Sequence, residues 1–560
     1  MNKFLSLLAV AAAILCTCHI QNLQAQVTAV GSNLLRIGDG TTDGASGLEH
    51  KRYLEEIGNA RIFFDNITLG LRYEMDDPSE VGPSFQGIRR RWIEYNKDKL
   101  LIHAGDVYAL YGRGLSMNAF EARPLNYDSW LDGVKGEYEY RWKKEDLDFQ
   151  PSLGVRMIAG KLLFHNVAVA DTGKPPQNVS ARAINSQIGF FGKKLIVGSS
   201  FVQAFTSISD PPGRAGYVVT LREVNQPEIY LNFLTGPVEV FFQFTAMRSN
   251  LSKITNIDTS LRNTGKALYG SFSYAGSAFG LTFEYKNYSY FVRSPGADNQ
   301  NYLSKLPISN PPEVYKEFTY TSLTRTTHSV NFDDEVGFQI EANITVIPEY
   351  VITFNCAASS QHNGYEYRGR DSLGTSIYST TNSTSFLPKF SGNNSYPFWE
   401  FFAEVEHDFG ELNYAKLFGH RRSNVIAAGS TGADVQRSTT IGAKCQYQTT
   451  KSQSLLASFE HQWMYDTQKT LNGHNLRNEL LTLQYSFNPL ITFGGVLDYS
   501  TQNDAGRHFW PQAFVSFRIG GSHTVLSSYG AERGGLNCTG GICRVVPAFN
   551  GLRVTVTSQL

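Results

Sequence analysis

The sequence predicts an all-β protein: a large antiparallel transmembrane β-barrel of about 24 strands (22–26), with short periplasmic turns and long extracellular loops. Three observations carry that expectation. Strand-length segments alternate apolar and polar residues, they run long enough to cross a bilayer at a tilt, and the connections between them alternate short and long. Composition narrows the field further. Aromatics are 13% of 560 residues, too rich for a disordered chain. Hydrophobic content of 41% and a mean hydropathy of −0.26 exclude a bundle of membrane helices, each of which needs ~20 consecutive apolar residues. Lys and Arg number 50 and Asp and Glu 50, so no net field favours nucleic acid as a partner.

Residues 1–25 are an address. Met1-Asn2-Lys3 is a basic start, residues 4–15 are an apolar core, and cleavage after Ala25 would release an exported chain. Residues 26–58 form an N-terminal segment with room for one strand, over residues 27–37, and residues 59–560 form the barrel.

Alternation is plainest at 334–346. Val336, Phe338, Ile340, Ala342, Ile344 and Val346 share one parity, and Gly337, Gln339, Glu341, Asn343 and Thr345 take the other. In 134–142, Val134, Tyr138, Tyr140 and Trp142 oppose Lys135, Glu137, Glu139 and Arg141. In 399–409, Trp399, Phe401, Ala403, Val405 and Phe409 oppose Glu404, Glu406 and Asp408. A period of two is a strand with one apolar and one polar face. These runs exceed the usual ~5–6 residues of a soluble strand. Trp142, Trp399, Trp463 and Tyr465 stand near strand ends, where an apolar belt meets water.

Short turns are expected at Asp65-Asn66, Asn96-Lys97-Asp98, 143–146, Gly192-Lys193, Thr235-Gly236-Pro237, Gly276-Ser277, Ile347-Pro348, Gly410, Thr450-Lys451, Asn488-Pro489 and Gly520-Gly521. Longer connections fall at 109–132, 160–179, 207–226, 250–263, 293–333 and 357–395. The hairpins, a terminal strand near 548–560 and the 27–37 segment together make an even number of strands, as closure asks. The terminal strand alternates Leu552, Val554 and Val556 with Arg553, Thr555 and Thr557, and Leu560 stands where such strands often close on an aromatic residue.

Of the cysteines beyond the signal, Cys538 and Cys543 bracket a glycine-rich loop and are expected to form a disulfide in an oxidising compartment. Cys356 and Cys445 lie within strands as small buried hydrophobes.

The stretches Gly87-Ile88-Arg89-Arg90-Arg91-Trp92-Ile93-Glu94-Tyr95, Gly105-Asp106-Val107-Tyr108-Ala109-Leu110-Tyr111-Gly112-Arg113-Gly114-Leu115 and Leu131-Asp132-Gly133-Val134 resemble an uncharacterised family of Gram-negative outer-membrane β-barrel proteins, a domain of unknown function. The ending Gly541-Ile542-Cys543-Arg544-Val545-Val546-Pro547-Ala548-Phe549 is similar to that family's ending. The resemblance implies an outer-membrane location and a barrel fold, and it transfers no activity.

The chemistry legible in the chain is sparse. It holds no P-loop, H-E-x-x-H, G-x-S-x-G or EF-hand loop, so no catalytic residue, metal or cofactor is assigned and no enzyme is expected. Glu404, Glu406 and Asp408, like Glu137, Glu139 and Arg141, are read as hydrated lumen charges lining the pore. His461 shares the apolar face of its strand as an interfacial histidine. Arg89 and Arg91 would line a basic ladder for anions if they face the lumen, or else neutralise Glu94 and Asp106 within the wall. Arg113 opens the first long loop between two glycines, where an infolding, pore-constricting loop is expected. Asp371-Ser372-Leu373 matches a surface glycan acceptor.

A lumen this wide must conduct or be plugged. The first reading is a diffusive or loop-gated channel for small polar solutes. The alternative is a loop-plugged structural or secretion-associated barrel that binds an envelope partner. Either would contact outer-membrane lipid and the barrel-assembly machinery. Infolding of 293–333 and 357–395 would favour plugging.

Overall fold

A computed structural model describes residues 27–559 except 45–46, 83, 124–126, 143–148, 167–177, 210–218, 255–259, 291–304, 371–375, 385, 429–431, 470–473, 505–506 and 540–541. The signal segment, the 143–146 turn and Asp371-Ser372-Leu373 lie outside the described residues. Antiparallel pairing of each strand with the next closes a barrel of 24 strands, and a two-residue strand, Glu121–Ala122, leans on the wall. No described helix is long and apolar enough to cross a membrane.

Hairpins form at the expected short turns. Residues there take the left-handed conformation that a tight reversal demands, as at Asp65 (φ 51°), Gly236 (φ 54°), Gly520 (φ 58°) and Gly521 (φ 75°). The chain ahead of the first of these turns holds two strands, Val27–Gly44 and Gly47–Phe64, paired along their whole length. Val27–Gly44 also pairs with Phe549–Gln559, from Ser32 opposite Gln559 to Thr42 opposite Phe549, and this closes the barrel. Glu80, from the loop after the strand Ile67–Asp76, pins that seam from inside: it meets Arg36 at 2.5 Å and Arg553 at 3.0 Å.

The two faces divide as alternation requires. Leu455, Phe459 and Trp463 point outward from Gln453–Asp466 and are exposed, while Glu460, Gln462 and Asp466 point inward and are buried. Stacked rings of Tyr350 with His407 and of Phe409 with Tyr447 edge the belt on the short-turn side. Apolar side chains that remain exposed across the middle of every face, bounded by such rings, are a surface built for lipid.

At the other end the strands run farther than expected. Residues 127–132, 160–166, 219–226 and 250–254, expected in loops, belong to Tyr127–Arg141, Ser152–Asn166, Val219–Thr235 and Val238–Ile254. There the inward faces of Leu131, Leu162 and Val224 pack on apolar loop residues in the lumen, so the apolar–polar alternation fades while the ladder continues. Within the expected 357–395 loop, Asn363–Arg370 and Ser376–Ser383 form a separate hairpin. The following segment lies outside the wall: the Tyr285 hydroxyl donates to the Phe386 carbonyl, and Phe390 packs on Phe338. Cys445 is exposed and Cys356 half-buried, so neither is fully buried; each sits on the lipid-facing side of its strand.

Candidate functional site

The lumen is filled by loops, and the filling begins where one wall strand stops short. Leu100–Val107 covers only the lower half of its neighbour Gln86–Lys97, pairing from Leu100–Lys97 to Gly105–Trp92. Gly105 (φ 105°) turns the chain inward, and a Cβ there would lie 2.3 Å from the Arg91 carbonyl oxygen. The gap left in the wall is sealed by side chains. Asp106 accepts from the Arg91 backbone N–H (2.6 Å) and from the Trp130 indole (2.9 Å). Buried Arg90 pairs with Asp128 and lies 3.3 Å over the Trp130 ring, and the Tyr108 hydroxyl donates to Asp128 at 3.1 Å. The arginine run and the Gly-Asp-Val-Tyr segment thus form one seal.

Inside, residues 108–120 cross to the strands Val219–Thr235 and Val238–Ile254. The Leu115 carbonyl accepts from Gln226 (3.0 Å) and Tyr290 (2.6 Å), and Gln243 accepts from the Arg113 backbone N–H (2.6 Å). Tyr111, Leu115 and Met117 are wholly buried against the wall residues Val202, Val224 and Met247 and against Leu306, Ile308 and Val314 of a second loop. The two loops are stitched together: the Asn118 backbone N–H donates to the Ile308 carbonyl (2.6 Å), and the Ser309 hydroxyl to the Ser116 carbonyl (3.1 Å).

That second loop, described over 305–333, reaches the opposite wall. Buried Lys286 and Glu335 pair at 2.7 Å at its root, and His328 bridges Glu335 (3.2 Å) and Asn424 (3.0 Å). Its tip is the single helical turn Thr321–Thr324. The backbone N–H groups of Thr321 and Ser322 donate to Glu460 at 3.1 and 2.8 Å, and Gln462 donates to the Ser322 carbonyl at 3.2 Å. Arg325 pairs with Asp498 at 2.6 Å, Tyr320 donates to Glu404, and Arg422 holds the Thr326 carbonyl while pairing with Glu400 at 2.8 Å. The plug therefore has a large apolar body on one side of the barrel and, on the other, a latch of ion pairs and hydrogen bonds set around a small apolar cluster of Tyr320, Leu323, Phe402 and Phe418.

The residues singled out by sequence are scattered over this frame. Arg89 occupies a β-bulge and pairs with Glu74 at 2.7 Å. The extra residue shifts parity, so Arg91 faces outward beside Ile93 and meets Asp132 at 3.9 Å. Arg89 and Arg91 accordingly do not form an inward ladder. Arg113 is drawn into the lumen with its loop, 3.3 Å from Glu239 and above the Phe241 ring. Glu137 pairs with Lys135 (3.1 Å), and Glu139 with Arg141 and Lys193 (both 2.8 Å). Lys416 sits 2.7 Å from Glu406 and 3.7 Å from Glu404, while Asp408 is exposed at the short-turn end. His461 faces outward and pairs with Glu479 at 3.2 Å. The strands Gly535–Thr539 and Ile542–Val546 place the Cys538 and Cys543 backbones opposite one another, and their side chains lie outside the described residues. The latch residues Glu460, Gln462 and Asp498 escaped notice because each is one polar residue at an ordinary lumen position.

A model of one family of unknown function, DUF6029, matches residues 3–161 and 183–560. The chain belongs to that family. A search of curated proteins finds no match. Among solved structures, the copper transporter OprC has a TM-score of 0.41 at 10% identity, over 96% of this chain and 82% of that one. The siderophore receptor PirA from Pseudomonas aeruginosa scores 0.40 at 10%, over 96% and 82%, and the P pilus usher PapC translocation pore 0.39 at 10%, over 95% and 99%. Scores this low add nothing to what the strand pairing itself establishes. The family member described here is an outer-membrane-type barrel whose lumen its own loops occupy.

Proposed function

We propose that the chain is a loop-gated conduit for small polar solutes, closed in the state described, and without catalytic activity. On this reading it is exported by a cleaved signal and inserted in the outer membrane by the barrel-assembly machinery. The observation that carries the reading is the asymmetry of the plug. Apolar packing of Tyr111, Leu115, Met117, Leu306 and Ile308 makes one side a fixed core, because exposing it would cost about 1.5–3 kcal/mol per large side chain. The Tyr320–Thr326 tip is held mainly by hydrogen bonds and ion pairs, which can exchange with water, around one much smaller apolar cluster of Tyr320 and Leu323 with Phe402 and Phe418. A gate needs that division between a fixed hinge and an exchangeable latch.

The apolar core also favours a second reading, in which the plug never moves and the barrel serves an envelope partner. Planar-bilayer recordings decide between them. Folded wild-type barrel is expected to be mostly silent, with brief salt-proportional steps under voltage or at high ionic strength. Unbroken silence in the wild type and in latch variants alike sinks the conduit and leaves the partner-binding barrel.

A further inference from the structure

We propose that a groove on the outward face, framed by Arg421, Arg437 and Arg477, binds the phosphate of an outer-leaflet lipid headgroup. The inference stands on the barrel's orientation and needs no assumption about conduction.

Strand pairing assembles the site. Arg421 lies opposite Thr439, Thr439 opposite Trp463, and Trp463 opposite Arg477, so one row crosses four strands. Arg437 stands one step higher, opposite Tyr465. All three arginines have outward parity, continuing the line of the exposed belt residues Leu417, Ile441, Phe459 and Leu483 toward the extracellular end. The groove between them measures about 970 Å³ and is also lined by Trp463, Tyr465 and Asn393.

The charge there is uncompensated. Among the described residues no carboxylate lies within ion-pairing distance of these three guanidinium groups; Arg421 donates to the Thr439 hydroxyl. The nearest acid on the same face, Glu479, sits one step below Arg477 and is paired with His461. Asp434 and Asp466 are engaged with Thr467 and Gln436 on the inward parity. By contrast Arg91, outward on another part of the wall, meets Asp132.

Arginine on a lipid-facing surface is costly within the hydrocarbon and favourable at headgroup depth, where its planar fork matches a phosphate bidentately. Trp463, at the top of the belt, suits the same depth. Three forks around a groove large enough for a sugar-phosphate therefore select a phosphorylated glycolipid whose acyl chains run down the apolar wall.

The test is native mass spectrometry of the folded full-length barrel in detergent with bis-phosphorylated lipid A, dephosphorylated lipid A and inorganic phosphate. Wild type is expected to retain bis-phosphorylated lipid A, the R421Q/R437Q/R477Q variant to bind it at least about tenfold more weakly, and R248Q/R262Q, which removes exposed outward charges elsewhere on the wall, to bind as wild type. Dephosphorylated lipid A is expected to be lost, and millimolar phosphate not to compete. Wild-type retention by the triple variant overturns the proposal. So does an equal loss in R248Q/R262Q, which would mean diffuse attraction, or displacement by phosphate alone, which would mean a free-anion site. Folding is verified by heat-modifiable migration; should the triple variant fail there, the three single Arg→Gln variants are read by the same criteria.

Discussion

Glu460→Ala is the perturbation that bears most directly on the latch. The Glu460 carboxylate, 3% exposed, accepts the Thr321 and Ser322 backbone N–H groups at 3.1 and 2.8 Å. A hydrogen bond to a charged group contributes about 1.5–3 kcal/mol. Deleting the carboxylate also removes its own desolvation cost, so the two bonds together amount to about 3 kcal/mol net, or roughly 150-fold in the closed-to-open ratio. Arg325→Ala supplies the comparison. Its side chain is 23% exposed, so solvent screens the pair with Asp498, and about 1 kcal/mol, roughly fivefold, is expected. The assay is the open fraction in single-channel records at matched insertion, supported by protease nicking within 305–333. Two results refute the reasoning: folded Glu460→Ala barrel as silent as wild type, or Arg325→Ala opening more than Glu460→Ala.

Other expectations concern the seal, the plug and the hinge. Arg90→Met strands the buried Asp128 carboxylate and should cost about 3–5 kcal/mol in urea unfolding, with Arg90→Met/Asp128→Leu recovering most of it; equal losses would show that the pair is not coupled. Burial pushes the Glu313 carboxyl from 4.5 up to about 7, against a weaker opposing hydrogen bond from Tyr315. The folded loop thus holds the proton more tightly, so plug stability is full below about pH 4.5 and declines as pH rises through about 7. Amide exchange of 306–314 should accelerate between pH 5 and 8 beyond its intrinsic rate, and Glu313→Gln should flatten that slope; increasing protection would contradict it. Gly105→Val must clash with the Arg91 carbonyl, and loss of the heat-resistant folded band is expected, whereas an unchanged band would show that the inward bend tolerates a side chain.

The wall was legible because its rules are local. Alternation over 334–346 and the turn residues at Asp65 and Gly520-Gly521 depend only on near neighbours, and the strands close as the parity of short and long connections requires. Arg91 shows where local rules end: a bulge at Arg89 reverses the face of everything beyond it, and no residue type marks a bulge in advance. Infolding of the loop at Arg113 was readable from its glycines, but its partners were not. Thr321 and Glu460 are 139 positions apart, and Arg325 and Asp498 are 173 apart, so only the closed fold reveals them as neighbours. Cys445 was misplaced for a related reason, since a residue facing lipid is apolar without being enclosed by protein.

The pairing of the first described strand with the last has a consequence for how this molecule is made. Thr41 and the Asn550 carbonyl are in contact across 509 positions of chain. Every other wall pairing joins strands much nearer in sequence, so this contact closes by far the longest loop and carries the largest single closure cost of the wall. Until Phe549–Gln559 has emerged and docked, Val27–Gly44 presents an open row of backbone donors and acceptors to any neighbouring strand. Chains cut short anywhere before that point are therefore expected to be sticky sheets rather than smaller barrels. Whatever holds the two edges during synthesis controls whether this protein aggregates or closes.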